Sequence, residues 1–384
     1  MKKVKIMTIF GTRPEAIKMA PLVKKLNKHK NIDCIVTVTA QHREMLDQVL
    51  DLFQIEADYD LNIMSDQQTL VDITVNVLEE LDKVIKSEEP DLILVHGDTT
   101  TTFIGALSSF YNQTDIGHVE AGLRTNDKYS PYPEEMNRHL TGVLADLNFA
   151  PTINNKNNLL QENIDTEKIF VTGNTVIDAI KEIVQSNYQF KNPVLKNINF
   201  SEKNIILLTA HRRENIGKGL ASIFKAINRI TNQNDNTEVV FPVHLNPAVR
   251  KTAQKYLGNN NKVHLIEPLE YQEFANLMSR SYFIMTDSGG IQEEAPGLGK
   301  PVLVLRDTTE RQEAIKAGTV KKVGVEQEVV FKAADKLIND KNEYEKMSKA
   351  NNPYGDGKAV DRIIDFILYN YGIKKNKPEP YGGV

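Results

Sequence analysis

At 384 residues the chain is too long for one ordinary domain of about 150 residues and points to two. Its 47 Lys plus Arg against 51 Asp plus Glu give a formal charge of −4, the wrong sign for a general nucleic-acid binder. A composition that is 40% hydrophobic and 26% charged suits packed cores rather than a disordered chain, and no stretch approaches the ~20 apolar residues of a membrane span. The single cysteine, Cys34, excludes an internal disulfide framework and a zinc site built on several cysteines. Its neighbours Ile35 and Val36 make it a core thiol. The N-terminus carries no apolar core of signal-peptide length before Gly11, so a cytoplasmic location is expected.

In chain order, short β-branched runs alternate with stretches of helical period, the pattern of a parallel sheet covered on both faces. Strands are expected from Val4 to Phe10, Ile32 to Val38, Asp91 to Val95, Ile116 to Val119, Leu147 to Ala150 and Ile169 to Val171. Residues 187–203, rich in Asn, Lys and Pro, read as a linker between domains at 1–186 and 204–358. A second series follows, with strands expected from Asn204 to Thr209, Glu238 to Val243, Val263 to Ile266, Tyr282 to Thr286 and Pro301 to Leu305. A helix is expected from Ala359 to Tyr371, and residues 374–384 read as a flexible tail. The fold class is therefore α/β, with two doubly wound domains whose strand ends would face a shared cleft.

Loops directly after strands are then the places to look for chemistry. The turn Gly11-Thr12-Arg13-Pro14-Glu15 lacks the G-x-G-x-x-G spacing of a dinucleotide site, which argues against NAD. It does place Arg13 and Lys18 near a helix start, where an anion would be held. Asp98 follows the third strand, as a helix cap or as a carboxylate aimed into the cleft, and Glu120 closes the next strand. Glu134 and Arg138, four apart at a helix start, either form a surface ion pair or face the same cleft. Three acids around one cleft suit proton transfer when repulsion raises a pKa, or alternatively a metal; because cations are at hand to neutralise phosphate, no metal is expected. His211 and Arg212 follow the first strand of the second series. Ser288, Gly289, Gly290 and Glu294 open a helix after another strand, a loop suited to phosphate, with Glu294 placed to accept hydroxyl hydrogen bonds from a ribose.

The strings FGTRPEAIKMAP, TAQHREMLDQV, HGDTTTT, HVEAGLRT, YSPYPEEMNR, TAHRREN, PVHLNP, TDSGGIQEEAP, LRDTTER and NPYGDG, in this order and over nearly the whole chain, resemble the bacterial non-hydrolysing UDP-N-acetylglucosamine 2-epimerases. The resemblance implies a glycosyltransferase-B-like fold of two Rossmann-like domains, with the C-terminal helix returning to the first. It also implies interconversion of UDP-N-acetylglucosamine and UDP-N-acetylmannosamine without NAD or metal, by anti elimination of UDP to 2-acetamidoglucal and re-addition. The product would feed envelope polysaccharides such as capsule or teichoic-acid linkage units. By the same resemblance Asp98, Glu120, Glu134 and His211 are the catalytic set, with the split between acid and base open. Arg13, Lys18, Arg138, Phe274, Ser288, Gly289, Gly290, Glu294 and Arg311 would contact substrate. A second UDP-N-acetylglucosamine would bind as activator through Gln41, Glu44, Gln67, Arg212 and His244. Glu44 and Gln67 stand where some relatives have Gln and Arg, which leaves the strength of that regulation open, and Gln312 stands where Pro is usual beside Arg311. A homodimer is expected by analogy.

Overall fold

A computed structural model of the chain describes residues 3–40, 43–64, 68–309 and 311–382. The chain divides into two compact units, Met1–Ala179 with Tyr354–Gly383, and Ile180–Pro353. In the first unit β1 (Val4–Phe10), α1 (Arg13–Lys28), β2 (Ile32–Val38), α2 (Arg43–Phe53), β3 (Tyr59–Asp60), α3 (Leu70–Glu88) and β4 (Leu92–His96) come first. They are followed by α4 (Thr100–Tyr111), β5 (Asp115–Val119), α5 (Glu134–Leu144), β6 (Leu147–Ala150), α6 (Ile153–Gln161), β7 (Ile169–Val171) and α7 (Thr175–Ile183), which runs on into the second unit. The seven strands pair in the order β3-β2-β1-β4-β5-β6-β7, and every pairing is parallel.

The central strands are nearly all apolar because helices cover both faces of the sheet. On one face Met7, Ile9, Ile93 and Val95 pack against Val77, Leu81 and Ile85 of α3 and Ile104 of α4. The strand order reverses between β1 and β4, so the loops after these two strands open side by side at the carboxyl edge, the usual ligand position in such sheets. Buried Glu15 ties them together. Its carboxylate accepts the Gly11 and Thr12 N–H groups at 3.0 and 2.8 Å and the hydroxyls of Thr99 and Thr102 at 2.6 and 3.0 Å. Gly11 is required by close approach, since a Cβ there would lie 1.9 Å from Thr39 Oγ1.

The second unit holds α8 (Pro193–Lys196), β8 (Asn204–Thr209), α9 (Lys218–Gln233), β9 (Thr237–Pro242), α10 (Pro247–Leu257), β10 (Val263–Ile266) and α11 (Tyr271–Arg280). It continues through β11 (Phe283–Thr286), α12 (Ile291–Gly297), β12 (Val302–Val304), α13 (Gln312–Ala317), β13 (Val320–Lys322), α14 (Gln327–Asn339) and α15 (Lys341–Ser348). Its parallel sheet runs β10-β9-β8-β11-β12-β13 around a core that includes Leu208, Phe224, Phe241, Phe283 and Leu303. Here the order reverses between β8 and β11, again at the expected site loops. Each unit is thus a Rossmann-like α/β sheet. Among the described residues no helix is long and apolar enough to cross a membrane.

Two stretches differ from the sequence reading. Residues 187–203 do not form a free linker: Tyr188, Phe190 and Leu195 are buried, the Phe190 ring lies 5.3 Å from that of Phe200, and Glu273 accepts the Lys191 and Asn192 N–H groups. The aromatic residues interleaved among the polar ones anchor this segment to the second unit. Residues 374–382 are tied down as well, by Tyr381 N–H to the Val171 carbonyl at 2.8 Å, the Lys377–Glu167 ion pair at 2.9 Å and the Arg362 guanidinium over the Tyr381 ring. The short edge strands β3 and β13 were too brief for a periodicity argument. The last helix, α16 (Ala359–Asn370), packs on the first unit, with Phe366 stacked on Phe170 at 4.4 Å and edge-on to Phe149. Cys34 is partly buried, and burial with Asp58 and Asp33 nearby pushes its thiol up to about 12, which keeps it unreactive.

Candidate active site

In the first unit the residues converge on Glu120, just past β5. Glu120 sits in the left-handed backbone region at φ 66°, a conformation that a side chain adopts only when its surroundings hold it there. Oε1 pairs with Lys18 Nζ and accepts from Asn174 Nδ2 at 2.8 Å, while His96 Nε2 lies 3.6 Å from Oε2. Burial pushes this carboxyl up, but the Lys18 cation and the hydrogen bonds from Lys18 and Asn174 outweigh it and hold Glu120 well below the usual carboxylate range. His96 is buried and neither ring nitrogen has a hydrogen-bond partner; burial lowers its pKa to about 3, so the imidazole is neutral at pH 7.

Asp98 behaves oppositely. Burial, reinforced by the negative charge of Glu120, raises its pKa, although Arg138 works against the shift. The helix cap belongs to Thr99, whose hydroxyl accepts the Thr102 N–H, so the Asp98 carboxylate is left for Arg138 NH2 at 2.6 Å. Arg138 does not form the surface pair with Glu134 that its spacing allowed. It is buried and grips Asp98 and Glu135, with Nε left unpartnered. Glu134 Oε2 is also buried without a hydrogen-bond partner, one helical turn before Arg138. Arg13, at the first position of α1, is half-buried and has no ion-pair partner among the described residues. This edge therefore combines a fixed anion, a carboxyl poised to take a proton, an unpartnered carboxylate and free cationic capacity.

At the carboxyl edge of the second unit the organising group is Asp287. It is fully buried, and its Oδ2 accepts the N–H groups of His211 and Arg212, both at 2.8 Å, and Asn215 Nδ2 at 3.1 Å. His211 stacks flat on His244 with ring centroids 4.8 Å apart. Burial, with His244 and Arg212 adding to it, lowers its pKa against the pull of Asp287, which favours a neutral ring. Ser288 N–H is held by Thr286 Oγ1 at 2.9 Å and Glu294 accepts from Tyr271 OH at 3.2 Å. A Cβ on Gly290 would meet nothing within 4 Å, so this loop borders open space. Arg311 Nε pairs with Glu293 at 2.5 Å, and Phe274 is half-buried on α11. Gln312 donates its amide to the Thr309 carbonyl at 2.5 Å.

The sequence model of the family described as UDP-N-acetylglucosamine 2-epimerase matches residues 24–368. The chain is 58% identical to the UDP-N-acetylglucosamine 2-epimerase of Bacillus subtilis strain 168 over 383 residues, which is 100% of both chains. The chain belongs to this family. Among solved structures, a UDP-N-acetylglucosamine 2-epimerase with 56% identity superimposes at a TM-score of 0.93 over 100% of each chain. The Neisseria meningitidis UDP-GlcNAc 2-epimerase bound to UDP-GlcNAc does so at 0.82, with 52% identity over 96% of this chain and 100% of that one. These epimerases establish the glycosyltransferase-B-like fold class and an isomerase of UDP-N-acetylglucosamine.

Of the site residues expected of an epimerase, Lys18, Asp98, Glu120, Glu134 and Arg138 lie on the loops and helix starts of one edge, and His211, Arg212 and His244 cluster on the other unit. Glu44 is exposed in the first turn of α2, and Gln41 and Gln67 fall outside the described residues. Sequence reasoning missed His96, Asn174 and Asp287. All three end or follow strands; Asn174 and Asp287 turn inward to hold Glu120 and the turn at His211 and Arg212, whereas His96 stands 3.6 Å from Glu120 with both ring nitrogens unpartnered. Among the described residues no three His, Cys, Asp or Glu side chains are grouped as a metal ion requires.

Proposed function

We propose that the chain interconverts UDP-N-acetylglucosamine and UDP-N-acetylmannosamine by anti elimination of UDP, leaving 2-acetamidoglucal bound, followed by re-addition with the opposite configuration at C2. The observation that carries this reading is the pair of partly buried carboxylates at one strand edge, Glu120 pinned by Lys18 and Asn174 and Asp98 held by Arg138, with burial raising Asp98 while Lys18 keeps Glu120 ionised. Asp98 is the group suited to take the C2 proton, Glu134 the second proton carrier, and Glu120 the fixed anion that raises Asp98. As the C2–H bond breaks, the electron pair forms the C1–C2 double bond and the C1–O bond releases UDP. C2–H is weakly acidic, so the leaving diphosphate must be stabilised as charge develops, the role of Arg13, Lys18, His211 and Arg311. Purified protein with UDP-N-acetylglucosamine in D₂O tests the reaction: UDP-N-acetylmannosamine with deuterium at C2 supports it, and free N-acetylmannosamine with UDP would indicate a hydrolase.

The Ser288-Gly289-Gly290 loop, with Glu294 and Phe274, is proposed to hold the uridine diphosphate. Gly290 has φ −63°, which alanine adopts freely, and open space beside it. Gly290→Ala should therefore leave thermal stability unchanged while raising KM about tenfold or more, because the added methyl intrudes only on ligand. An unaltered KM in steady-state assays would remove this loop from the substrate site. His244 and Arg212, beside His211, are proposed contacts for the activating second sugar nucleotide, and the product is proposed to supply cytoplasmic precursor for envelope polysaccharide.

The dimer is also proposed, on the outer face of α4. TTTFIGALSSFY carries no charge; most of it is buried within its own chain, and its last two residues, Phe110 and Tyr111, are the apolar part left uncovered. Phe110 and Tyr111 are 56% and 63% exposed, and Val143, near the end of the neighbouring helix α5, adds 71%. A second copy burying the same face is the self-complementary solution. Light scattering should give twice the 43.4 kDa chain mass, and Val143→Glu should shift it toward the single chain. A wild-type monomer at all concentrations would refute this interface.

A further inference from the structure

Asn174 sits where the chain is about to leave the first unit, which it exits after Ala179 and re-enters at Tyr354. The outgoing and returning segments lie side by side. Asn174 N–H donates to the Tyr354 carbonyl at 2.6 Å, and a Cβ on Gly173 would come 3.2 Å from Gly355 Cα. Just beyond, Asp178 accepts the Ala359 and Val360 N–H groups at 3.2 Å each, and Arg362 donates to the Thr172 carbonyl at 3.2 Å. The Asn174 side chain is buried in this seam. Its Oδ1 accepts the Val176 N–H at 3.0 Å at the start of α7, and its Nδ2 donates to Glu120 Oε1 at 2.8 Å.

We propose that Asn174 is a positioning residue for Glu120, fixing the carboxylate from the seam where the chain leaves and re-enters the first unit. Glu120 needs such support because its backbone lies in the left-handed region, and an anion free to swing would abandon its place beside Asp98. Lys18 is a flexible point charge and supplies attraction with little direction, whereas a planar amide locked at both ends supplies direction. The same connection means that a disturbance of the seam reaches the acid. Gly355, which lies against the Asn174 backbone, is the sensitive point, since its φ of 143° is strained for any residue with a side chain.

This inference rests on the reading of Glu120 as part of the proton-transfer machinery. The groups facing Glu120 are Lys18 from α1, His96 and Asp98 at the end of β4, and His118 on β5. With those unchanged, losing the Asn174 donor frees the still-ionised Glu120 to turn away from Asp98, so the raised Asp98 pKa falls and the acidic limb of the kcat profile moves to lower pH. Asn174→Ser isolates the effect, because a serine hydroxyl still caps α7 but is too short to reach Glu120. The expected result is kcat lowered about tenfold with KM within about twofold, together with the displaced acidic limb. The limb is independent of how much protein folds, so partial misfolding does not mask it. Glu120→Gln is assayed in parallel. An Asn174→Ser enzyme with wild-type kcat and pH profile beside an inactive Glu120→Gln enzyme would overturn the positioning role alone; a fully active Glu120→Gln enzyme would overturn the reading of Glu120 as well.

Discussion

Asp98→Asn should reduce C2–H exchange by about 10²- to 10⁴-fold, the range for losing a positioned general base, with the fold retained. The amide keeps the shape of the carboxyl and still offers Arg138 NH2 an oxygen acceptor. Arg138 also keeps its 3.0 Å pair with Glu135, so the buried guanidinium is not left without an anion. What disappears is the ability to bind a proton. Burial and the Glu120 charge raise the Asp98 pKa, so the wild-type enzyme is protonated there at acid pH and gains base activity as pH rises through that raised value. In the variant this limb should vanish from the profile, leaving a flat residual rate. Deuterium incorporation at C2, followed by NMR in D₂O separately from UDP release, measures it. Exchange within a factor of two of wild type would transfer the role to another acid, with Glu134 the next candidate.

The residues differ in how far the sequence alone could place them. Asp98, Glu120, His211 and Ser288 were legible because each follows a strand in a parallel sheet, and strand order puts such loops at the ligand edge whatever the details of packing. Arg138 was only half legible: its spacing from Glu134 is a property of one helix, but its partner is chosen by where α5 docks against the loop after β4. The segment around Tyr188 and Phe190 was misread because composition averages over residues, while two aromatic side chains among polar neighbours are enough to pin a segment to a core. The same averaging hid the hold on the C-terminal residues, where one tyrosine and one lysine fix a stretch otherwise rich in Lys, Pro and Gly. Asn174 and Asp287 were illegible for a different reason. Both are polar residues in strand-end loops, the position of a ligand contact, and only the direction of the side chain, decided by tertiary packing, makes them internal supports.

Asp287 offers the sharpest test of that distinction. As a phosphate-loop residue facing ligand, its replacement by alanine would alter binding alone. The structure instead gives it three donors, the part-buried N–H groups of His211 and Arg212 and the buried Asn215 amide, and Asn215 in turn donates to the Leu305 carbonyl just after β12. Alanine would leave the buried Asn215 amide and two part-buried N–H groups without their acceptor, a cost on the order of 2 kcal/mol concentrated in the second unit. Asp287→Ala should therefore lower the thermal midpoint and also speed hydrogen exchange at the amides of residues 211 and 212, which lose their acceptor. Because those amides set the direction of the His211 ring, UDP affinity measured by calorimetry should fall about tenfold or more. Asp287→Asn retains an acceptor for one or two of the donors and should fall between. Fast amide exchange without loss of UDP affinity would remove His211 from the diphosphate site, and unchanged exchange would mean that the loop after β8 is held by other contacts.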